Sequence, residues 1–273
     1  MSTDGTGNSA HTGTIVFDLD GVVYLGDVGV PGAAEALNAV ANLGWHIVFA
    51  TNNSTRTPEM VLRHVKARTG FQGVDIDVAT SAMAAANWTA RDHESVFVVG
   101  EQGLCDTLLE AGLQIVEDHP EAVVVGLDRG IDYETIATAA RMIRNGATYI
   151  ATNTDATFPT PEGPVPGAGA IVAAITKASG REPITCGKPE APMVDLVRSL
   201  VRGTSVWVVG DRPETDLAMA TRAGWRSVLV LTGVTVPGEY IHGDDEPDFT
   251  LDSIASLPGL ISAHGQPRRN NER

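Results

Sequence analysis

Asp18 and Asp20 stand two residues apart where the apolar run Ile15-Val16-Phe17 stops, and Gly21 follows at once. The run has the character of a strand buried on both faces, as in a parallel sheet covered by helices. At a strand end, residues two apart point to the same side. Two carboxylates placed so repel each other and lose hydration, which favours a site that supplies a cation. Taken alone, the stretch reads equally well as an Asp-Gly turn.

Other strand ends repeat the pattern. Trp45 to Ala50 is apolar and runs into Thr51-Asn52-Asn53-Ser54, and Ser205 to Val209 runs into Gly210-Asp211-Arg212-Pro213-Glu214-Thr215-Asp216. Pro183 to Cys186 leads to Gly187-Lys188-Pro189. In open α/β sheets, ligands bind outside the carboxyl ends of the strands, so these ends can converge on one site. Asp18, Asp20 and Asp211 offer oxygen without His or Cys, a hard-cation environment for which Mg²⁺ with retained waters fits best. The Thr51 hydroxyl and the Asn52 and Asn53 amides make an anion cradle suited to phosphate, and Lys188 adds a mobile positive charge. On a phosphoryl group so held, one carboxylate can attack phosphorus while its neighbour moves the proton. Asp18, nearer the rigid strand, suits attack, and Asp20, one step out on the loop, suits the proton.

The elements that must position these residues alternate. Helices are expected over Pro31 to Leu43, Pro58 to Thr69 with Thr57 as N-cap and Gly70 as stop, and Ala82 to Arg91 with Ser81 as cap. Asp77 to Thr80 is a strand between the last two. Further on come strands Ser95 to Val99, Ala122 to Gly126 and Thr148 to Thr152, with helices Gln102 to Glu110 and Asp132 to Arg144 between them. A Pro/Gly-rich loop, Phe158 to Gly169, is longer than usual connectors. Helices Gly167 to Ser179, Ala191 to Val201 and Leu217 to Ala223 follow, with strands Ser227 to Leu231 and Phe249 to Leu251. This alternation is an α/β fold with a Rossmann-like, doubly wound parallel sheet.

At 273 residues the chain can bury one large core or two modest ones. Its net charge of −15 argues against nucleic acid, for which it lacks a basic surface. No apolar run approaches a membrane span and no secretory leader is evident, so the expected location is cytoplasmic. Cys105 and Cys186 form neither a metal motif nor a disulfide framework. The seven histidines have no metal spacing and read as surface or satisfied-core residues. Residues 1–12 and 265–273 read as disordered ends.

Asp18-Leu19-Asp20-Gly21-Val22-Val23-Tyr24, Thr51-Asn52-Asn53-Ser54, Gly187-Lys188-Pro189 and Gly210-Asp211-Arg212-Pro213-Glu214-Thr215-Asp216 occur in the order of the haloacid dehalogenase superfamily motifs. Their wording resembles its NagD-like branch, which carries a type IIA cap and includes p-nitrophenylphosphate, pyridoxal-phosphate, phosphoglycolate and glycerol-phosphate phosphatases. The resemblance implies Asp18 as the aspartyl-phosphate nucleophile, Asp20 as general acid/base and Lys188 as stabiliser of the phosphorylated intermediate. It implies Thr51, Asn52 and Asn53 on the phosphate, and Mg²⁺ on Asp18, the Asp20 carbonyl and Asp211, with Asp216 orienting that set. Pro213 departs from the larger residue often found there but removes no chemical group.

By the same resemblance, 13–84 and 183–264 form the core domain and 85–182 an inserted α/β cap, which in relatives often mediates dimers. Asn153 and Asp155, with the loop after them, are then the candidates for reading the leaving group. Asp155 also reads as the cap of the turn after its strand, and Arg129 and Arg212 by default pair on the surface. The expected activity is Mg²⁺-dependent hydrolysis of a small phosphorylated metabolite. The alternatives are a phosphotransferase or mutase using the same intermediate, or a catalytically silent protein that binds a phosphorylated ligand.

Overall fold

The computed structural model describes residues 12–160, 163–235, 237–238 and 246–265. Residues 1–11 and 266–273, nearly all of the two ends expected to be disordered, lie outside these. Thr12, at the inner limit of the expected disordered start, donates its N–H to the Gly44 carbonyl at 2.9 Å.

Two parallel sheets carry the chain. The first has six strands in the order Phe249–Leu251, Arg226–Val230, Ser205–Gly210, Gly13–Phe17, Trp45–Thr51, Ile76–Thr80. Gly13–Phe17 is buried throughout and lies between its two longest neighbours, with Phe17 beside Val209 on one side and Phe49 on the other. That register brings the ends carrying Asp18, Thr51 and Asp211 to one edge, where the winding reverses direction.

Alternation along the strands divides the core. Ile15, Phe17, Ile47 and Phe49 face one apolar layer with Leu37, Leu257 and Ile261, while Val16, Val48 and Ala50 face another. Leu257 and Ile261 sit on a terminal helix, Leu257–His264, that the sequence reading did not foresee.

The second sheet has five strands in the order Ile184–Thr185, Thr148–Ala151, Ala122–Val125, Ser95–Val99, Gln114–Ile115. One of its faces shares an apolar cluster with the first sheet. Val96, Val124 and Ile150 pack in the same group as Val16, Val48 and Ala50, through the alanines of the helix Ser81–Thr89. The other face closes over Phe97, Val123 and Val125 with the helices Tyr133–Arg144 and Ala168–Ser179.

Local expectations hold in most places. Pro58–Thr69 is a helix whose N-cap hydroxyl, on Thr57, accepts from Met60 N–H, and Gly70 ends it in the left-handed conformation. Two expectations fail. The helix Ser81–Thr89 is capped by Thr80, whose hydroxyl accepts from Met83 N–H, because the Ser81 hydroxyl turns inward to the Asn52 carbonyl at 2.6 Å. The Phe158 to Gly169 stretch is a hairpin rather than a loop: Thr157–Thr160 pairs antiparallel with Gly163–Pro166. Its prolines are tolerated because this two-stranded ribbon has only edges.

Candidate active site

Lys188 is the hub of the strand ends. Its ammonium donates to Asp18 Oδ1 at 2.5 Å, Asp216 Oδ1 at 2.7 Å and the Ala50 carbonyl at 3.1 Å. Its side chain is only 3 % exposed, which a lysine tolerates when its charge is paired. Burial alone would lower its pKa, but the charges and hydrogen bonds of Asp18 and Asp216 outweigh that and hold it above the ordinary lysine value.

Asp211 packs behind Asp18. Its Oδ2 accepts from Val234 N–H at 2.6 Å, while its Oδ1 is buried without a hydrogen-bond partner. Gly21, at φ +90°, turns the chain after Asp20 so closely that a Cβ there would lie 2.4 Å from Asp211 Oδ2. Asp216 follows on a single π-helical turn, Pro213–Leu217, and also accepts from Arg212 N–H at 3.2 Å. Burial pushes both Asp18 and Asp211 upward, and the neighbouring Asp216 charge adds to it, with Asp211 reaching about 7.

Asp18, Asp211 and Asp216 each bring one oxygen within 4.8 Å of the others, the only such group of acids, histidines or cysteines among the described residues. Three carboxylates, two buried and that of Asp18 partly so, face one ammonium, so full ionisation of the set calls for two further positive charges. An all-oxygen set with one orphaned carboxylate oxygen fits a hard divalent cation.

The remaining expected residues line the same cleft. It opens between the two sheets and is bordered by Asp18, Asp20, Thr51, Asn53, Asp155 and Lys188, among others. Burial pushes the Asp20 carboxyl up, opposed by Arg56, Lys188 and Arg212. The Thr51 hydroxyl accepts the Asn53 N–H at 3.1 Å, so this amide is engaged inside the loop rather than held out to a ligand. Asn53 Oδ1 in turn accepts from the Thr55 N–H and hydroxyl at 2.8 and 2.9 Å, which fixes the loop.

Asn153 and Asp155 reach the site from the second sheet. Asn153 Nδ2 donates to the Asn52 carbonyl at 2.7 Å, and both Asp155 oxygens accept from Asn52 Nδ2 at 3.2 Å. Asp155 is thus more than the cap of its own turn. Arg129 pairs with Glu101 at 2.9 Å and lies over the Phe158 ring at 5.9 Å, yet it also borders the cleft, as does Arg212. Sequence reasoning missed the contact of Ser81 with the Asn52 carbonyl, because the residue also reads as a helix cap. Phe158, from the stretch expected to read the leaving group, borders the cleft on a hairpin whose prolines hide it in the sequence.

Comparison with known proteins agrees with this geometry. The family model for haloacid dehalogenase-like hydrolases matches residues 15–114, and a HAD-hydrolase-like model matches 185–257. An acid sugar phosphatase of Staphylococcus haemolyticus is 34% identical over 244 residues, which is 88% of this chain and 92% of that one. A glycerol phosphate phosphatase of Mycobacterium tuberculosis, crystallised with magnesium and separately with calcium, superposes with a TM-score of 0.82. In the magnesium form it is 34% identical, over 91% of this chain and 76% of that one. NagD of E. coli K-12 superposes with a TM-score of 0.82 at 32% identity, over 90% and 98%. The chain belongs to the haloacid dehalogenase-like hydrolases. Within them it falls in the NagD-like branch, and two of the relatives named here carry the name of phosphatases.

Proposed function

We propose that this protein is a Mg²⁺-dependent phosphomonoesterase that hydrolyses a small phosphorylated metabolite through an aspartyl phosphate on Asp18. The observation that carries this reading is the Lys188 ammonium at 2.5 Å from Asp18 and 2.7 Å from Asp216, on the floor of a cleft shared by two sheets. Relatives named as acid sugar phosphatase and glycerol phosphate phosphatase support the substrate class.

Asp18, Asp211 and the Asp20 carbonyl would hold the cation, with Asp216, engaged by Lys188 and the Arg212 N–H, orienting those ligands. When bound, it supplies the positive charge that keeps the buried acids ionised and offsets the phosphoryl oxygens. Asp18 then attacks phosphorus, forming the new P–O bond as the ester P–O bond breaks. Asp20, whose pKa burial raises, carries the proton to the departing alcohol oxygen. In the second half, Asp20 takes a proton from water as that water attacks phosphorus, which frees Asp18 and inorganic phosphate. Lys188 holds Asp18 in line throughout, and the Thr51 hydroxyl and Asn52 amide orient the phosphate.

In our reading 13–84 with 183–264 carry this chemistry and 85–182 form the cap that sees the leaving group, with Ile184–Thr185 adding an edge strand to the cap's sheet. Asn153 and Asp155 are the cap residues we assign to reading that group. Release of phosphate from p-nitrophenyl phosphate tests the mechanism. Turnover is expected to need Mg²⁺ and to fall by about four orders of magnitude in Asp18→Asn, as on removing a covalent nucleophile. Full turnover in that variant, in a preparation free of other phosphatases, would sink it.

A further inference from the structure

Asn52 is engaged on every side. Its Oδ1 accepts the Lys188 N–H at 2.7 Å, and its Nδ2 reaches both oxygens of Asp155 and the Lys188 carbonyl, each at 3.2 Å. A backbone N–H can only donate, so the amide's orientation is fixed: oxygen toward Lys188, nitrogen toward Asp155. The Asn52 carbonyl meanwhile accepts from Asn153 Nδ2 at 2.7 Å and from the Ser81 hydroxyl at 2.6 Å. One residue therefore joins the Thr51 loop, the Lys188 turn and the end of the second sheet's Thr148–Ala151 strand. Asn52 is 9% exposed and Asn153 5%, so water offers these groups little substitute.

We infer that the Asn52 side chain is a positioning residue that ties the cap loop Asn153–Asp155 to the Lys188 backbone, so that seating of the cap and placement of the lysine ammonium are one event. The Lys188 peptide is gripped at both its N–H and its carbonyl by this single amide, and its side chain runs from there to Asp18. A displaced Asp155 leaves one Asn52 amide hydrogen unpaired and so loosens the side chain whose other groups hold the Lys188 peptide. The role is distinct from phosphate binding by the Asn52 backbone. It rests on the proposed reading that Lys188 serves a reaction at Asp18.

Exchanging the two side chains tests it. In Asn52→Asp the acceptor for Lys188 N–H remains, but two carboxylates now oppose each other. The double variant Asn52→Asp/Asp155→Asn restores a donor–acceptor pair between positions 52 and 155 with its polarity reversed, while the Lys188 carbonyl stays without its donor, so the rescue is partial. With Mg²⁺ and p-nitrophenyl phosphate, Asn52→Asp is expected to lose about 10- to 100-fold in kcat, and the exchanged pair to regain about fivefold or more, the size of coupling usual for residues in contact. A residue that merely supports the fold would give additive losses, with the double variant worse than either single one, and that result overturns the inference.

Hydrogen exchange of residues 150–157, read in Mg²⁺-loaded protein without substrate, is expected to quicken in Asn52→Asp and slow again in the exchanged pair. Unchanged exchange in both also overturns the inference. This second readout stands even if the wild-type protein releases no phosphate, an outcome that would count against the phosphatase reading alone. If Asn52→Asp does not fold, folding of the exchanged pair supports the tie, and failure of both to fold counts against it.

Discussion

Lys188 Nζ lies 2.5 Å from Asp18 Oδ1 and 2.7 Å from Asp216 Oδ1, with all three side chains largely shut off from water, so one ammonium serves two carboxylates that have no other cation in contact. Breaking such a pair leaves an uncompensated buried charge, at about 3–5 kcal/mol. Lys188→Met is therefore expected to lower the unfolding free energy of the metal-free protein by about that amount and to cut kcat by at least about 100-fold. Lys188→Arg should not rescue turnover, because a planar guanidinium cannot fill the point-charge position shared by Asp18, Asp216 and the Ala50 carbonyl. Denaturant melts with steady-state kinetics check both, and wild-type turnover in Lys188→Arg would contradict the assignment.

Asp211 gives the pH behaviour of the metal-free protein. Burial first, and the Asp216 charge second, raise its pKa to about 7 from an ordinary 3.8. The unfolded chain thus releases this proton at lower pH than the folded one. Stability from this group is full below pH 3.8, declines as the pH rises, and is gone above about 7. In chelator-treated protein, Tm is expected to fall across this window, and Asp211→Asn to raise Tm at about pH 8 while abolishing the shift that Mg²⁺ produces. For the wild type, Mg²⁺ at about 100 times its Kd should add about 2.7 kcal/mol. Differential scanning calorimetry reads all of these, and an Asp211→Asn protein less stable than wild type at high pH would refute the argument.

Much of this site is legible in the sequence because Asp18, Thr51 and Asp211 each follow a strand too apolar to be anything but core. Ile15 to Phe17 points at Asp18, Trp45 to Ala50 at Thr51, and Ser205 to Val209 at Asp211. What escapes has a physical reason. The hairpin Tyr24–Leu25 with Val28–Gly29 is too short for a period to show, and half-exposed Leu25 and exposed Val28 break the buried pattern. Thr157–Thr160 and Gly163–Pro166 pair despite prolines that argue against a strand in any wider sheet. The bonds from Asn52 to Asp155 and Lys188 span more than a hundred residues, and local pattern carries no record of them.

Asp132 offers a change that should touch stability alone. Its side chain caps the helix Tyr133–Arg144, accepting from the Thr135 N–H at 2.8 Å and hydroxyl at 2.7 Å, and these bonds hold its pKa below the usual carboxylate value. Asp132→Ala is expected to lower stability through loss of the N-cap. Its effect on kcat should be within twofold or so, since the residue takes no part in the cleft. The loss should vanish in acid: a depressed pKa contributes stability above its unfolded value and loses it as the pH falls through the folded one. Urea melts of both proteins at neutral and low pH decide this, and an equal gap at both would exclude the cap as its cause.

Gly21 joins the two acids of the nucleophile loop to the third. At φ +90° it adopts a conformation that L side chains rarely take, and a Cβ there would stand 2.4 Å from Asp211 Oδ2 and 2.5 Å from its Cγ. Its carbonyl is fixed by the Thr232 hydroxyl at 2.6 Å, so the turn cannot simply swing aside. Gly21→Ala must therefore displace Asp211, whose unpartnered Oδ1 is the oxygen best placed for a cation. Gly26, at φ +55°, meets nothing within 4 Å of a Cβ, so Gly26→Ala carries backbone strain without crowding. Both variants are expected to lose about 1–3 kcal/mol of stability from strain. Only Gly21→Ala should also need about tenfold more Mg²⁺ or worse for half-maximal turnover and for its thermal shift. Equal metal requirements in the two variants would mean that Asp211 is not held in place by the glycine turn.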